Sequence, residues 1–399
     1  MKPASMRKKK AAVDPTGSLY TKICRGCRLC QKGAKMVLFV TGDCGRDCFY
    51  CPLSVERKGY DHAYANERLI TTDDDVLAEA KRMGALGTGI TGGEPLGKLE
   101  RTLHYIELLK ANFGEKHHIH LYTGIAAMDT VLKKLREAGL DEIRFHPPVE
   151  DWDRFKETGF YRALKRSMEL GMDAGVEIPA IKPVPDIVEA IHEAGGFLNL
   201  NELEFSDTNC EALKERGYGF DNDTSNAARG SQEIGHQIVL NILANTRTKD
   251  CKNHSQYFTK GFEDKCLKTQ KTSIDHKNIK IRTRYCSSRF KDAVQLRERL
   301  KRMARNTARP FDEISDDGTI IYAEIHGNIT DALRIIKSLK VPRRWYRSYD
   351  GRIDIAWWVL ADMKSRRMLE DIKKIPGSQC SIVERYPMEN GLVVERIPL

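Results

Sequence analysis

Two rhythms in the chain predict its fold class. From Met36 onward short apolar runs alternate with helical periods, and residues 311–399 follow the order β-α-β-β-α-β. The first rhythm predicts an α/β protein built on a partial (β/α)6 TIM-like barrel, and the second a C-terminal α+β ferredoxin-like domain. A cluster of cysteines before the first strand adds a Cys-rich N-terminal extension. The expected boundaries are 1–35 for the basic, Cys-rich extension, 36–206 for the barrel, 207–310 for a lid loop with a basic helical Cys/His segment, and 311–399 for the last domain.

The six barrel strands are expected at 36–41, 88–91, 118–123, 142–146, 173–178 and 197–205. Between them, Thr72 and Asp75 mark the start of a helix over 73–83, and Gly139 stops one over 128–138, as a glycine just past a helix end does. Residues 206–231 are polar and rich in Gly, Asn and Asp, too long for a simple connection. Helical spacing returns in Ile234, Ile238, Val239, Ile242 and Leu243, and again in Ala293, Leu296, Leu300, Met303 and Ala304. In the last domain a strand over 319–325, a helix over 330–339, a hairpin at Asp350-Gly351 and a helix over 363–375 precede the final strands.

With 41% hydrophobic and 31% charged residues, the chain has globular composition. It lacks the roughly 18 consecutive apolar residues of a spanning helix, and its basic N-terminus is not followed by an apolar signal core. A cytoplasmic protein without membrane contact is expected. There the 11 cysteines point to metal or redox chemistry before disulfides. Charge is uneven: His236 to Pro310 holds 19 Lys and Arg against six acidic residues, an excess above the +10 of the whole chain.

Cys44, Cys48 and Cys51 follow the first strand at spacing C-x3-C-x2-C. A [4Fe-4S] cube has four irons, so three thiolates on one loop leave one iron open to a non-protein ligand. The alternative is a zinc site or a saturated cluster completed from the Cys24 group. Thr91-Gly92-Gly93-Glu94-Pro95 ends the second strand, where active residues of parallel barrels gather, and Glu94 is a suitable acceptor for an ammonium group. Strand alternation turns His120, Tyr122, Arg144, His146 and Glu177 to the barrel interior.

These two motifs resemble those of the radical S-adenosylmethionine (SAM) enzymes, whose loop is C-x3-C-x-aromatic-C, here with Tyr50 as the aromatic. Within that superfamily the chain is similar to archaeal proteins related to the activating enzyme of pyruvate formate-lyase, over about 36–206. The resemblance implies a [4Fe-4S] cluster on Cys44, Cys48 and Cys51, with SAM bound to its open iron. One electron from a low-potential donor would cleave SAM to methionine and a 5′-deoxyadenosyl radical that abstracts hydrogen. It also implies that Gly92, Gly93 and Glu94 meet the methionine amino group, and that Tyr50, Arg144, His146 and Glu177 lie near the cofactor.

Cys24, Cys27 and Cys30 form two overlapping C-x2-C pairs, the spacing of zinc or of a second iron-sulfur cluster. A fourth ligand would come from Cys210, Cys251, His254, Cys266 or Cys286. Cys251, His254, Cys266 and Cys286 are also candidates for a separate site, or for buried small residues. Cys210 reads as a substrate contact, a radical relay or an exposed thiol. The basic segment, with Arg297, Arg302 and Arg305, would suit phosphate contacts to a tRNA or rRNA. A radical enzyme acting on structured RNA is thus one expectation and a protein-directed enzyme such as a glycyl-radical activase another. A third is an iron-sulfur electron carrier without substrate chemistry.

Overall fold

The computed structural model describes residues 13–245, 281–388 and 391–399. They fall into two compact units: residues up to Leu29 with Met36–Leu77 and Leu86–Ala293, and Cys30–Lys35 with Ala78–Ala85 and Val294–Leu399. No helix among the described residues is long and apolar enough to cross a membrane.

The first unit is a ten-stranded sheet: β1 (Leu19–Tyr20), β2 (Lys35–Phe39), β3 (Ala63–Ala65), β4 (Arg68–Ile70), β5 (Gly87–Thr91), β6 (His118–Thr123), β7 (Glu142–Phe145), β8 (Asp173–Pro179), β9 (Phe197–Asn201) and β10 (Arg282–Cys286). Their spatial order is β1-β10-β9-β8-β7-β6-β5-β2-β3-β4. From β5 to β10 every neighbouring pair is parallel, with helices between the strands in sequence. This is the open arrangement of a partial barrel, edged by antiparallel β1 and by the β3-β4 hairpin. Strands such as β8 are buried nearly end to end, as parallel strands covered on both faces must be.

The helix Asp73–Arg82 begins where expected but is capped in reverse. Asp75 reaches back to accept from the amides of Thr71 and Thr72 at 2.9 and 2.8 Å, and these bonds hold its carboxyl below the usual range. Asp129–Glu137 ends before Gly139, whose φ of +107° suits glycine alone.

β10 corrects the expected organisation. It is a seventh strand along the parallel side of the sheet, inside the stretch read as a basic helical segment. Arg-Thr-Arg-Tyr-Cys hid it because its arginines look solvated. In the fold Arg282 makes a twin bond to Asp173 at 2.6 and 2.7 Å, and buried Arg284 lies 4.1 Å from the Phe290 ring centre. The Cys-rich stretch is no appendage either: Cys24 and Cys27 pack against Phe197 inside the first unit.

The second unit carries β11 (Glu313–Ile314), β12 (Ile320–His326), β13 (Tyr346–Tyr349), β14 (Arg352–Ile355), β15 (Gln379–Arg385) and β16 (Val393–Pro398). The order β13-β14-β12-β15-β16 is antiparallel throughout. The helices Ile329–Ser338 and Trp357–Ser365 pack on one face through Ile336, Leu360 and Met363. The expected hairpin turns at Asp350-Gly351, with Gly351 at φ +69°.

Candidate functional site

The cysteine loop leaves β2 and lies against the loop that leaves β5, backbone to backbone. Gly93 N–H donates to Thr41 O at 2.7 Å and Glu94 N–H to Asp43 O at 2.8 Å. A Cβ on Gly93 would stand 2.2 Å from Asp43 O, and one on Gly92, at φ +156°, 2.5 Å from Thr41 O. The two glycines therefore let the loops touch. Asp61 fastens the same corner by accepting from Thr41 at 2.8 Å, Arg101 at 2.6 Å and Lys98 at 3.0 Å.

Glu94 is buried beneath this corner. Oε1 accepts from Leu96 N–H at 2.9 Å and Thr123 Oγ1 at 2.8 Å, and Oε2 from Gly124 N–H at 2.6 Å. Burial pushes its carboxyl pKa up despite these bonds. Arg46, between the first two cysteines, donates to Gly124 O at 2.9 Å and His146 O at 2.8 Å. It ties the loop across the ends of β6 and β7. On the other side Thr208 donates to Cys51 O at 3.2 Å, and the Arg216 guanidinium lies 4.4 Å from the Phe49 ring centre.

Tyr50 is buried with its hydroxyl 3.0 Å from His146 Nε2, and His146 Nδ1 is 2.8 Å from Glu177 O. A carbonyl only accepts, so Nδ1 carries the proton and Nε2 accepts from Tyr50. Burial pulls the His146 pKa down to about 4, which keeps the ring neutral.

Cys44, Cys48 and Cys51 are free thiols, the first exposed and the others half-buried. Their chemistry suits a thiolate-ligated iron cluster, and a Cβ on Gly45 would meet nothing within 4 Å, so the backbone next to Cys44 faces open space. Among the described residues no three His, Cys, Asp or Glu side chains are drawn together around one point as they stand, these included.

At the other end of the same sheet face, Arg144 and Glu177 sit in a network of protein groups. Arg144 donates from Nε to Glu142 at 2.7 Å, from Nη1 to Tyr122 at 2.8 Å and Glu177 at 2.7 Å, and from Nη2 to Cys24 and Cys27 at 3.2 and 3.7 Å. All five N–H groups are engaged by protein partners. Glu177 is drawn into the same network by Asn199 and Asn201, each at 2.9 Å. Asn199 also donates to Cys27 at 3.5 Å. The Arg144 guanidinium thus lies against both sulfurs, Cys24 and Cys27, of the first C-x2-C pair. Cys24 shares a hydrogen bond with Cys27 that lowers the Cys27 pKa to about 6 and raises that of Cys24. Cys30 is buried in the second unit.

Among the described residues of the basic segment several cations are paired within their own unit. Arg282 and Lys291 are paired with Asp173 and Glu204 in the first unit, while Arg309 is paired with Asp312 and Asp354 in the second. Arg302 donates to Gly84 O at 2.8 Å, Arg297 lies 3.7 Å from Glu298, and of the three candidate RNA contacts Arg305 alone is exposed. Cys251, His254 and Cys266 lie outside the described residues. Cys210 is half-buried against the cluster of Tyr50, Leu203, Phe205 and Leu213 rather than exposed, and Cys286 ends β10. Sequence reading missed Arg46, Asp61, Thr123, Asn199 and Asn201. A charged residue inside the cysteine spacing was the one available signal, and it pointed to Arg46.

Residues 38–169 match the family model described as the Radical SAM superfamily, and 318–399 match a domain of unknown function. The chain belongs to the radical SAM superfamily, whose cofactors are a [4Fe-4S] cluster and SAM. A curated protein of Methanocaldococcus jannaschii, named "Putative glycyl-radical enzyme activating enzyme", is 36% identical over 95% of this chain and 94% of its own. A "Probable GTP 3′,8-cyclase" of Methanococcus aeolicus is 28% identical over 35% of this chain and 46% of its own. Among solved structures, methylornithine synthase aligns with 53% of this chain and 66% of its own at 13% identity and a TM-score of 0.35.

Proposed function

We propose that this radical SAM enzyme acts on a polypeptide, abstracting hydrogen from a partner protein. The observation that carries the reading is the archaeal relative, similar over 95% of this chain and named for activating a glycyl-radical enzyme. Bound cluster and SAM supply a one-electron cleavage that yields the hydrogen-abstracting radical. In this reading Cys44, Cys48 and Cys51 hold the cluster, Glu94 receives the methionine ammonium, and Arg46 fixes the loop that carries the thiolates. Gly92 and Gly93 contribute by letting that loop close on Glu94. Neutral His146 holds Tyr50 in place and moves no proton. A low-potential electron donor is a further partner. The strand order of the C-terminal unit supports the ferredoxin-like reading of 311–399.

The test begins with anaerobic reconstitution with iron and sulfide, reduction with dithionite, and an assay for 5′-deoxyadenosine. Comparative mass spectrometry of peptides and nucleosides from cells with and without the protein then finds the substrate. Altered peptides with unchanged nucleosides support the proposal, and altered nucleosides with unchanged peptides overturn it.

A further inference from the structure

Exposed apolar side chains in the first unit collect at one place. Of nine large ones among its described residues, Val55 (53% exposed), Tyr60 (55%), Ile125 (41%), Met128 (71%) and Phe220 (42%) stand on segments that follow the C-terminal ends of β2, β6 and β9. These segments are joined around the cysteine loop. Arg46 bonds to Gly124 beside Ile125, Val55 N–H donates to Asp207 at 3.3 Å, and Phe220 stacks on Phe205 at 4.1 Å. Isolated exposed apolar residues are ordinary, but a connected rim marks a docking surface.

The rim is also acidic. Asp43, Asp47, Asp61, Glu204 and Glu211 are paired with lysines or arginines and Glu202 is buried, but Glu56, Asp207, Glu215, Asp221 and Asp223 remain exposed, against exposed Arg216 and Arg229. A polyanion would be repelled there, whereas a chain of apolar and basic side chains would be drawn in. We propose that this rim is the docking surface for the partner polypeptide, which binds through a segment of leucine-like and lysine-like residues and so brings its reacting residue to the cysteine loop. The inference rests on the protein-directed reading and adds the surface and the chemistry of its partner.

The probe is a synthetic peptide with leucines and lysines flanking a central glycine, followed by fluorescence anisotropy on the reconstituted holoenzyme. Met128→Lys removes an apolar contact and repels the lysines, so affinity should fall roughly tenfold or more. Leu69→Lys, on β4 and also exposed, should change it less than about twofold. Dithionite-driven cleavage of SAM should be unchanged in both, which shows folded protein. Absence of peptide binding, or equal weakening by the two variants, would overturn the rim. If Met128→Lys alone weakens the peptide while cells lacking the protein show altered nucleosides and unaltered peptides, the rim survives as an apolar surface and the protein-directed reading fails.

Discussion

His146, just past the end of β7, and Arg144, within it, are two residues apart, yet they sit in opposite kinds of surroundings. Around His146 the bonds run to backbone carbonyls and a phenol, and the ring stays neutral. Around Arg144 two carboxylates, a phenol and two sulfurs converge on one buried guanidinium. The strand end ties down the cysteine loop through Arg46, and the strand itself holds Cys24 and Cys27. Alternation along a strand shows which side chains share a face. It does not show which end of the face does chemistry.

Four changes separate the two ends. The largest effect on function is expected from Cys48→Ala, which should reduce iron content and take 5′-deoxyadenosine formation to background while the thermal melt of the apoprotein stays near that of the parent. Arg144→Ala should do the reverse. It strands Glu142 and Glu177 without their cation, a loss of about 3–5 kcal/mol for a broken buried pair. That would show as a large fall in denaturant midpoint, with SAM cleavage per folded molecule retained; cleavage lost at unchanged stability would break the comparison.

Arg46→Ala removes two bonds from a charged donor to carbonyls and frees the cysteine loop. SAM affinity should fall roughly 10–100-fold, as for other supports of a metal site, read by the change in the cluster's EPR signal on titration with SAM. Iron content should hold.

The smallest effect is a pH dependence at His146. Its folded pKa of about 4 lies below the unfolded value near 6.5, so below pH 6.5 the unfolded chain takes up a proton that the folded one refuses. Stability should therefore decline as pH falls from about 6.5 toward 4, and His146→Gln should flatten that part of the stability profile. A steep profile that persists in the variant would assign the titration elsewhere.

Much of this arrangement was legible in the sequence. The strands were found to within a few residues because parallel strands are apolar runs bounded by helical periods. The cysteine spacing and Gly-Gly-Glu-Pro stood out because chemistry fixes both residue types and distances. What was not legible depended on partners distant in sequence. Nothing near Arg282 announces Asp173, so β10 read as basic surface. Nothing near Cys24 announces its contact with Arg144. The close approach of Gly92 and Gly93 was not legible either, since it depends on carbonyls in a different loop.

The pairing of β1 with β10 has a consequence for synthesis. Leu19 lies opposite Tyr285, and β10 also lies beside β9. Translation proceeds at roughly 5–20 residues per second, so the start of the chain waits tens of seconds for its neighbour to leave the ribosome. Through that interval Cys24 and Cys27 stand near an unfinished edge. Contacts so distant in sequence are the slow ones to form. Completion of this sheet is thus a late event in biogenesis, and the nascent chain is open to capture or oxidation before its last strand arrives.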